Sequence, residues 1–389
     1  MKGKLVALLK KNQGLFSFAK ALRLLQTSSL KGPTGGKKKY PKVIQLPITY
    51  RCNARCVMCN IWRMDYSGEA TVEEFGRFLQ DDIFKKVEAV GINGGEPTLL
   101  INLHEYADEI LKLPSLRALN IISHGFNTPR ALRAYEAIYS ACKIKGVSFH
   151  VSISLDGVGS IHDNVRRVPG GFLKTMATVT ELVKNQHKYC DSYELGCTVV
   201  SQNIDHLIEL DTYAKLHNYT IKYRLGIDNK RIESDKLRDM YSVIYSPLRQ
   251  NAREFFHYLF LNTKGLVDRF KYYSIFYWLS HDVPERLLGC AWKDEGVTLD
   301  ARGELYYCAV ASDSIGSLRD GDGDGDGKGI FFSDENIEYR KSIVKSKCDD
   351  CIHDYNGQVK FINLVQFIKA IFEYRVLMVM FFLRAKFLI

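Results

Sequence analysis

Residues 43–59 read VIQLPITYRCNARCVMC, an apolar run typical of a buried β-strand, followed at once by three cysteines. Cys52, Cys56 and Cys59 have the spacing Cys-x3-Cys-x2-Cys. Three thiolates on one short loop suit three irons of a [4Fe–4S] cluster and leave the fourth iron open to a further ligand. A structural metal site is usually closed by a fourth Cys or His, and neither occurs in residues 60–99. The triplet therefore indicates chemistry at an open metal position.

The sequence that follows alternates strand-like and helix-like segments. We predict six strands, at Val43–Ile48, Val87–Ile92, Leu116–Ile122, Val147–Leu155, Tyr193–Val200 and Thr220–Leu225. Helices are predicted between them, at Val72–Gln80, His104–Lys112, Pro129–Cys142, Phe172–His187 and Ile204–Leu216. This order predicts an α/β fold in which a parallel sheet, covered outside by helices, closes partly as a (β/α)6, TIM-like barrel. The cysteine triplet follows the first strand, and the C-terminal ends of strands are where such folds place their sites.

The fourth predicted strand has one apolar face and one polar face. The polar face carries Ser148, His150, Ser152 and Ser154, and apolar residues alternate with them. In a strand otherwise covered by helices, this alternation favours a polar face that lines a cavity. A half-exposed antiparallel strand is the alternative.

The net charge of +10 is concentrated at the N-terminus. Residues 1–42 contain eleven Lys or Arg and no acidic residue, so the rest of the chain is nearly neutral. This distribution argues against a broad nucleic-acid-binding face. Apolar residues recur at helical spacing in the arm, at Leu15, Phe18, Leu22 and Leu25. They predict an amphipathic helix that either packs on the body or lies on anionic lipid.

A second set of cysteines occurs between residues 290 and 351, namely Cys290, Cys308, Cys348 and Cys351. Within this region, Gly296–Leu299 and Glu304–Cys308 read as a β-hairpin. The Asp-Gly repeat at Asp320–Gly327 lacks the twelfth-position Glu of a calcium loop, and we interpret it as a flexible insertion.

Four further motifs follow the second, third and fourth predicted strands. They are Gly94-Gly95-Glu96-Pro97, Ser123-His124-Gly125 with Asn127, Ser154-Leu155-Asp156-Gly157 and His162-Asp163-Asn164-Val165-Arg166. Together with the cysteine triplet, these motifs occur in the same order as in radical S-adenosylmethionine (SAM) enzymes. The resemblance to that superfamily extends over about residues 43–225. The last motif resembles the His-Asp-x-x-Arg pattern of the SPASM branch of that superfamily.

This resemblance implies which residues hold SAM. The cysteine triplet would ligate the SAM-binding cluster, and Glu96 would accept the amino group of the methionine part. Arg166 would hold the SAM carboxylate, a bidentate task that suits a guanidinium, and Arg167 is the alternative. The implied SAM contacts are Met58, Gly94, Gly95, Glu96, Pro97, Ser123, Asn127, Ser154, Asp156 and Arg166. Met58 departs from the aromatic residue common at its position, although a thioether can also cover the adenine.

The second cysteine set resembles the shorter, twitch form of the SPASM extension, which holds one auxiliary [4Fe–4S] cluster. Four cysteines would ligate that cluster fully, which favours electron transfer over substrate binding. A four-cysteine zinc ribbon remains open as the alternative. The remaining cysteines, Cys142, Cys190 and Cys197, are expected to be core thiols.

The resemblance also implies a domain order. We predict a basic amphipathic arm (1–42), a radical SAM barrel (43–233), a helical linker (234–285), a twitch-like auxiliary cluster domain (286–357) and an apolar amphipathic C-terminal helix (358–389). The tail contains no uncharged run long enough to span a bilayer. The ten cysteines are scattered through a large chain, a usage that suits a reducing cytosol with metal-bound thiols. We expect a cytoplasmic protein, and peripheral association with the membrane remains open.

The implied reaction is reductive SAM cleavage to a 5′-deoxyadenosyl radical, with electrons from a donor such as flavodoxin or ferredoxin. The radical would abstract hydrogen from a small polar molecule, sugar-like or aminocyclitol-like, because a 42-residue arm is short for a leader-peptide-binding domain. Modification of a ribosomally made peptide is the alternative, and a non-catalytic zinc protein is a third reading. No catalytic residue is assigned, and the candidates facing the cavity are His124, His150, Lys222 and Arg224.

Overall fold

The computed structural model describes residues 39–283, 285–319, 326–348, 350–353 and 359–386, with the backbone alone at 294 and 375–386. These residues divide into two compact units. The larger contains residues 39–252 and 292–353, and the smaller contains residues 253–291 and 359–386. Nearly all of the predicted N-terminal arm, and most of the Asp-Gly repeat, lie outside the described residues.

The larger unit is built on one sheet, which has nine strands within the described residues. They are β1 (Val43–Pro47), β2 (Ala89–Asn93), β3 (Ala118–Ser123), β4 (Ser148–Ser154), β5 (Ser192–Val199), β6 (Ile221–Leu225), β7 (Gly296–Leu299), β8 (Glu304–Tyr306) and β9 (Gly316–Ser317). Their order is β6-β5-β4-β3-β2-β1-β7-β8-β9. The first six strands pair in parallel, which confirms the predicted partial barrel and all six of its strands.

The predicted hairpin is also confirmed, and it extends the barrel sheet. β7 pairs in parallel with β1, with Val43 opposite Gly296. β8 then pairs antiparallel to β7, and β9 antiparallel to β8. The region that carries Cys308 is therefore joined to the first barrel strand through backbone hydrogen bonds.

The described residues of the two units also form α-helices, several of which connect the strands of the larger unit. In chain order they are α1 (Val72–Leu79), α2 (Leu103–Ile110), α3 (Thr128–Lys145), α4 (Ser160–Arg166), α5 (Gly171–Lys184), α6 (Gln186–Tyr189), α7 (Leu207–Leu216), α8 (Arg238–Tyr241), α9 (Arg249–Asn262), α10 (Leu266–Leu279), α11 (Ala291–Glu295), α12 (Gly327–Phe332), α13 (Asp334–Ile343) and α14 (Phe361–Lys386). Helices α9 and α11 cross from one unit to the other, and α10 and α14 belong to the smaller one. The five predicted barrel helices are confirmed, with one of them divided into α5 and α6.

Local sequence explains where several of these helices begin and end. Thr71 and Glu74 form a capping box at the start of α1, each accepting a backbone N–H of the other. Gly146 ends α3 in the left-handed region, at φ 67°. On the sheet face beneath the helices, Ile121, Val151 and Leu195 are completely buried. This face forms the core of the larger unit.

The smaller unit consists mainly of aromatic-rich helices. Phe367 of α14 stacks on Phe270 of α10, with ring centroids 4.5 Å apart, and also contacts Tyr273. Our expectation of long helices from residue 234 onward was wrong for residues 234–248, which form a 3-10 turn, the four-residue helix α8 and further turns. Pro247 helps to explain why α9 begins only at Arg249, because proline disfavours helix at the residue before it and lacks an N–H.

Helix α14 also exposes apolar side chains, including Phe361 and Phe372. Among the helices that the structure describes, none is long and apolar enough to cross a bilayer.

Candidate metal and cofactor site

The cysteine triplet lies in the loop that follows β1, at the C-terminal edge of the parallel strands. Gly94 and Gly95 follow β2 and pair with this loop, with Gly95 N donating to Thr49 O at 2.7 Å and Glu96 N to Arg51 O at 2.8 Å. A Cβ on Gly95 would lie 2.0 Å from the Arg51 carbonyl oxygen. Gly94 has φ +129°. Glycine is required here because the backbone approaches the start of the cysteine loop closely.

The other end of the loop pairs with helix α4. Arg55 N donates to Arg166 O at 3.1 Å, and Val57 N donates to Val165 O at 2.9 Å. The loop is therefore held by backbone hydrogen bonds on both sides, so the triplet's position is fixed by β2 and α4 together.

A side-chain hydrogen bond fixes the middle of the loop. His124, which follows β3, approaches Asn53 Oδ1 with its Nε2 at 2.8 Å. Its Nδ1 accepts the Phe126 N–H at 3.1 Å, so we assign the proton to Nε2, which donates to Asn53. Burial lowers the pKa of His124, as does Arg166, while Glu96 raises it, and the net shift is downward. The ring is therefore neutral at physiological pH.

Glu96 is buried, and its carboxylate accepts hydrogen bonds from neighbouring strand ends. Oε1 accepts the Thr98 hydroxyl at 2.6 Å and the Ser123 hydroxyl at 2.7 Å, and Oε2 accepts the His124 N–H at 2.9 Å. These bonds stabilise a charge that burial would otherwise disfavour. Glu96 thus ties β2 to β3, and its pairing with the SAM amino group stays a prediction.

Asp156 and Arg166 form a buried ion pair beside the triplet. Asp156 Oδ2 lies 2.6 Å from Arg166 Nε, and Arg166 Nη1 donates to Cys56 Sγ at 3.5 Å. Oδ1 of Asp156 accepts the Thr198 N–H at 2.8 Å. Burial lowers the pKa of Arg166, but Asp156 and Cys56 raise it more, so the guanidinium stays charged. Burial raises the pKa of Cys56, and the Arg166 charge opposes that rise by favouring the thiolate.

The other residues of the His-Asp-x-x-Arg motif have structural roles. His162 Nδ1 accepts the Asp156 N–H at 3.1 Å, and burial with the Arg166 charge lowers the His162 pKa to about 4. Asp163 accepts the N–H groups of Gly170 and Phe172, each at 2.7 Å, where α5 begins. Arg167 is exposed, so the structure places Arg166 and not Arg167 beside the triplet.

The remaining predicted SAM contacts lie at the same edge of the sheet. Met58 packs against Val57, Val165, Val200 and Tyr241. Pro97 begins a short 3-10 turn, and Ser154 ends β4. Asn127 caps α3 by accepting the Arg130 N–H at 3.2 Å. Their contact with SAM stays a prediction.

The residues of this site fit an iron–sulfur cluster and a polar ligand. Burial raises the pKa of the Cys52 and Cys59 thiols to about 12, and neighbouring thiols add to the rise. Metal binding would replace these protons. Asn60 Oδ1 and Asn93 Oδ1 at this edge are buried without a hydrogen-bond partner, which leaves acceptors for a bound molecule. Among the residues described, no three His, Cys, Asp or Glu side chains converge on one position for a single metal ion, so the fit of the three thiols is to a cluster of several irons and not to one ion.

The second cysteine set is divided between the two units. Cys308 follows β8 in the larger unit, where Ala311 N donates to its Sγ at 3.2 Å. Cys348 and Cys351 belong to the same unit, whereas Cys290 belongs to the smaller one. The auxiliary cluster stays a prediction.

Three of the four candidate catalytic residues lie on the polar face of β4–β6, with a fourth residue that the sequence analysis missed. Glu194 Oε2 lies 2.7 Å from Lys222 Nζ and 3.8 Å from His150 Nε2. Burial raises the pKa of Glu194, but Lys222, His150 and Arg224 lower it more. His150, Glu194 and Lys222 lie near the N-terminal ends of their strands, unlike the triplet. His124, by contrast, contacts the cysteine loop.

Part of this chain is similar to known proteins. Residues 46–211 match the model of the Radical SAM superfamily. Pre-heme d1 synthase of Dinoroseobacter shibae is 30% identical over 165 residues, which are 42% of this chain and 38% of that protein. AdoMet-dependent heme synthase of Methanosarcina barkeri is 26% identical over 178 residues, or 45% of this chain and 47% of that protein. The matched segment spans less than half of either relative.

Solved structures with a similar fold cover more of the chain. Histidine-tagged anSMEcpe with bound AdoMet has a TM-score of 0.55 and 16% identity, over 86% of this chain and 96% of its own. SuiB of Streptococcus suis bound to its precursor peptide SuiA has a TM-score of 0.54 and 13% identity, over 93% of this chain and 86% of its own. At these identities the likeness concerns the fold.

Proposed function

We propose that this chain, which contains a radical SAM domain in residues 46–211, reductively cleaves SAM and abstracts hydrogen from a small polar substrate. The observation that carries the proposal is the cysteine loop, held by backbone pairing with β2 and α4 and flanked by Arg166. When bound, the [4Fe–4S] cluster and SAM supply the electron and the 5′-deoxyadenosyl radical that removes the hydrogen atom.

The chain's own residues hold and orient these groups. Cys52, Cys56 and Cys59 provide the thiolates, and the Arg166 charge beside Cys56 stabilises the anionic form. Asp156 holds the Arg166 side chain in place. His124 keeps Asn53, and with it the middle of the loop, at a fixed position.

A sugar-like or aminocyclitol-like substrate is supported by polar groups on the inner face of the sheet. Ser152, Ser154 and Arg224 offer hydroxyl and guanidinium groups in the C-terminal halves of β4 and β6, the end of the sheet that carries the triplet. Such groups can hydrogen-bond a hydroxylated or aminated molecule.

A ribosomally made peptide is the second candidate substrate. It is supported by the fold likeness to SuiB, whose structure was solved with a precursor peptide bound. Adding either substrate class to the reconstituted chain distinguishes them, because a true substrate raises the rate of 5′-deoxyadenosine formation. A rise with polyols, and none with precursor peptides, favours the small molecule.

We further propose one auxiliary cluster held by Cys290, Cys308, Cys348 and Cys351, and an external one-electron donor such as flavodoxin or ferredoxin. With two cubane clusters, reconstitution should give about eight irons per chain. The double variant Cys348→Ser/Cys351→Ser should retain about four irons and still form 5′-deoxyadenosine. Equal iron content in this variant and the wild type would contradict the auxiliary cluster.

The central activity is tested by anaerobic reconstitution with reductant and SAM. We expect 5′-deoxyadenosine from the wild type and none from the triple variant Cys52→Ala/Cys56→Ala/Cys59→Ala. Cys142→Ala is the control, because Cys142 is a buried core thiol of α3. Bound zinc in place of iron, with no SAM cleavage, would instead support the zinc-protein reading.

A further inference from the structure

Arg231 carries buried hydrogen-bond donors that the fold leaves unused. It lies in the short turn Lys230–Ile232, which follows β6. Two of its guanidinium nitrogens, Nε and Nη1, are buried and have no hydrogen-bond partner among the described residues. Buried donors are almost always paired, most of all on a charged group, so this arrangement calls for a ligand.

The turn that carries Arg231 contacts both cysteine-bearing segments of the larger unit. Ile232 packs on the cluster formed by Tyr50, Ile61 and Ala301, against which Cys52 and Cys59 also pack. On the other side, Lys230 N donates to Val310 O at 2.9 Å, two residues beyond Cys308. Arg231 therefore lies beside the proposed radical-generating site.

The charge of Arg231 acts on the groups around it. Burial raises the pKa values of Tyr50 and Tyr306, and Arg231 opposes the rise in both. Both phenols are uncharged when protonated, so neither neutralises the guanidinium.

The carboxylate of Asp300, near these tyrosines, already accepts hydrogen bonds from other donors. Asp300 Oδ2 accepts the Tyr50 hydroxyl at 2.5 Å and the Tyr306 hydroxyl at 3.3 Å. Its Oδ1 accepts the backbone N–H groups of Arg302 and Glu304, each at 2.9 Å. Each oxygen of Asp300 thus accepts two hydrogen bonds, and none of them comes from Arg231.

We propose that Arg231 binds an oxyanion of the substrate, a carboxylate or a phosphate. The planar guanidinium can donate two parallel hydrogen bonds to either group. Asn229 Oδ1, two residues earlier, is also buried without a partner, and it can accept a hydrogen bond from a neighbouring hydroxyl. The proposal rests on the proposed function in taking this ligand to be the molecule that the radical attacks.

The test is isothermal titration calorimetry of the reconstituted full chain with inorganic phosphate, pyrophosphate and succinate, each at fixed ionic strength. The wild type should bind at least one probe, and the probe that binds distinguishes phosphate from carboxylate recognition. Arg231→Gln should weaken that binding about 10- to 100-fold, the loss expected for hydrogen bonds to a charged group. Arg231→Lys keeps the charge and loses the planar guanidinium. Its affinity for the probe should lie between those of the wild type and Arg231→Gln.

Lys230→Gln is the matched control, because Lys230 is exposed and pairs with Asp313 at 2.5 Å. It should bind the probes as the wild type does. All variants should keep wild-type iron content and SAM affinity. The proposal is overturned if no probe binds, if Arg231→Gln binds the probes normally, or if that variant loses SAM affinity, which would assign Arg231 to the SAM carboxylate. Because the titration involves no SAM cleavage, failure of the proposed function is recognised separately, by absence of 5′-deoxyadenosine from the wild type.

Discussion

The Nε2–H of His124 donates to Oδ1 of Asn53 at 2.8 Å, so a residue that follows β3 holds the loop that follows β1. The two residues are separated by 71 positions in sequence. Asn53 lies between Cys52 and Cys56, and the bond therefore constrains the backbone between two proposed iron ligands. His124 is a positioning residue in this account, because it acts on the thiols through Asn53.

Replacing His124 should loosen the loop without unfolding the barrel. We expect His124→Ala to reduce iron retention after reconstitution, because the loop's middle loses its side-chain anchor. Iron and sulfide content, read with the absorbance of the cluster, measures this. His206→Ala is the control. His206 is exposed, and in the ion pairs of the described residues its partner is Glu209, which is outside the cysteine loop. Equal iron retention in His124→Ala and the wild type would show that the anchor is dispensable.

Gly95 and Gly91 give a matched test of the close approach between β2 and the cysteine loop. A Cβ at Gly95 meets the Arg51 carbonyl at 2.0 Å, whereas a Cβ at Gly91 has no heavy atom within 4 Å. Gly95→Ala should displace the loop and lower both iron content and the melting temperature. Gly91→Ala should leave both near wild type. If the two variants have the same iron content and melting temperature, the steric account is wrong.

Breaking the Asp156–Arg166 pair should destabilise the protein. Arg166→Gln leaves the Asp156 carboxylate buried without its cation, and removing one partner of a buried pair typically costs about 3–5 kcal/mol. Urea unfolding followed by circular dichroism measures the loss. Arg167→Gln alters the exposed neighbouring arginine and should change the free energy of unfolding by less than about 0.5 kcal/mol. A similar small change for Arg166→Gln would mean that the pair contributes little.

Because His162 is buried, we expect the free energy of unfolding to fall as the pH is lowered. Its pKa is lowered from 6.5 to about 4 by burial and Arg166, so between these values the unfolded chain binds a proton that the folded chain does not. The stabilisation is complete above about pH 6.5 and is lost by about 1.4 kcal/mol per pH unit as pH falls towards 4. Burial also lowers the pKa of His124, so His124 contributes to the same loss of stability in acid.

Urea unfolding of the iron-free full chain at several pH values between 7 and 5 measures this dependence. His162→Gln removes the titrating group and should flatten the curve by about 1.4 kcal/mol per pH unit. The control is His206→Ala, which changes an exposed histidine and should keep the wild-type slope. The account of His162 fails if His162→Gln and the wild type have parallel curves.

The sequence predicted the barrel strands because their apolar runs and intervening helices are local patterns. It did not predict where the hairpin pairs, since the parallel contact between Val43 and Gly296 joins residues that are distant in the chain. The hairpin was therefore interpreted as part of a separate cluster domain, while its strands in fact continue the barrel sheet.

The site residues show a similar division. Motif order placed the triplet, Glu96, Asp156 and Arg166 at strand ends, and the structure brings them to one edge of the sheet. The partners of each side chain depend on tertiary packing. No local sequence pattern indicates that Ser123 and His124 donate hydrogen bonds to Glu96. None indicates that the donors of Arg231 are buried. Glu194 offered a weak signal, because it alternates with the apolar residues of β5.

The open iron is the central claim, and electron paramagnetic resonance tests it most directly. The Cys348→Ser/Cys351→Ser variant is used so that the SAM-binding cluster alone gives the signal. The spectrum of the reduced cluster should change when SAM is added, because SAM binds the iron that Cys52, Cys56 and Cys59 leave open. An unchanged spectrum with and without SAM would contradict the account.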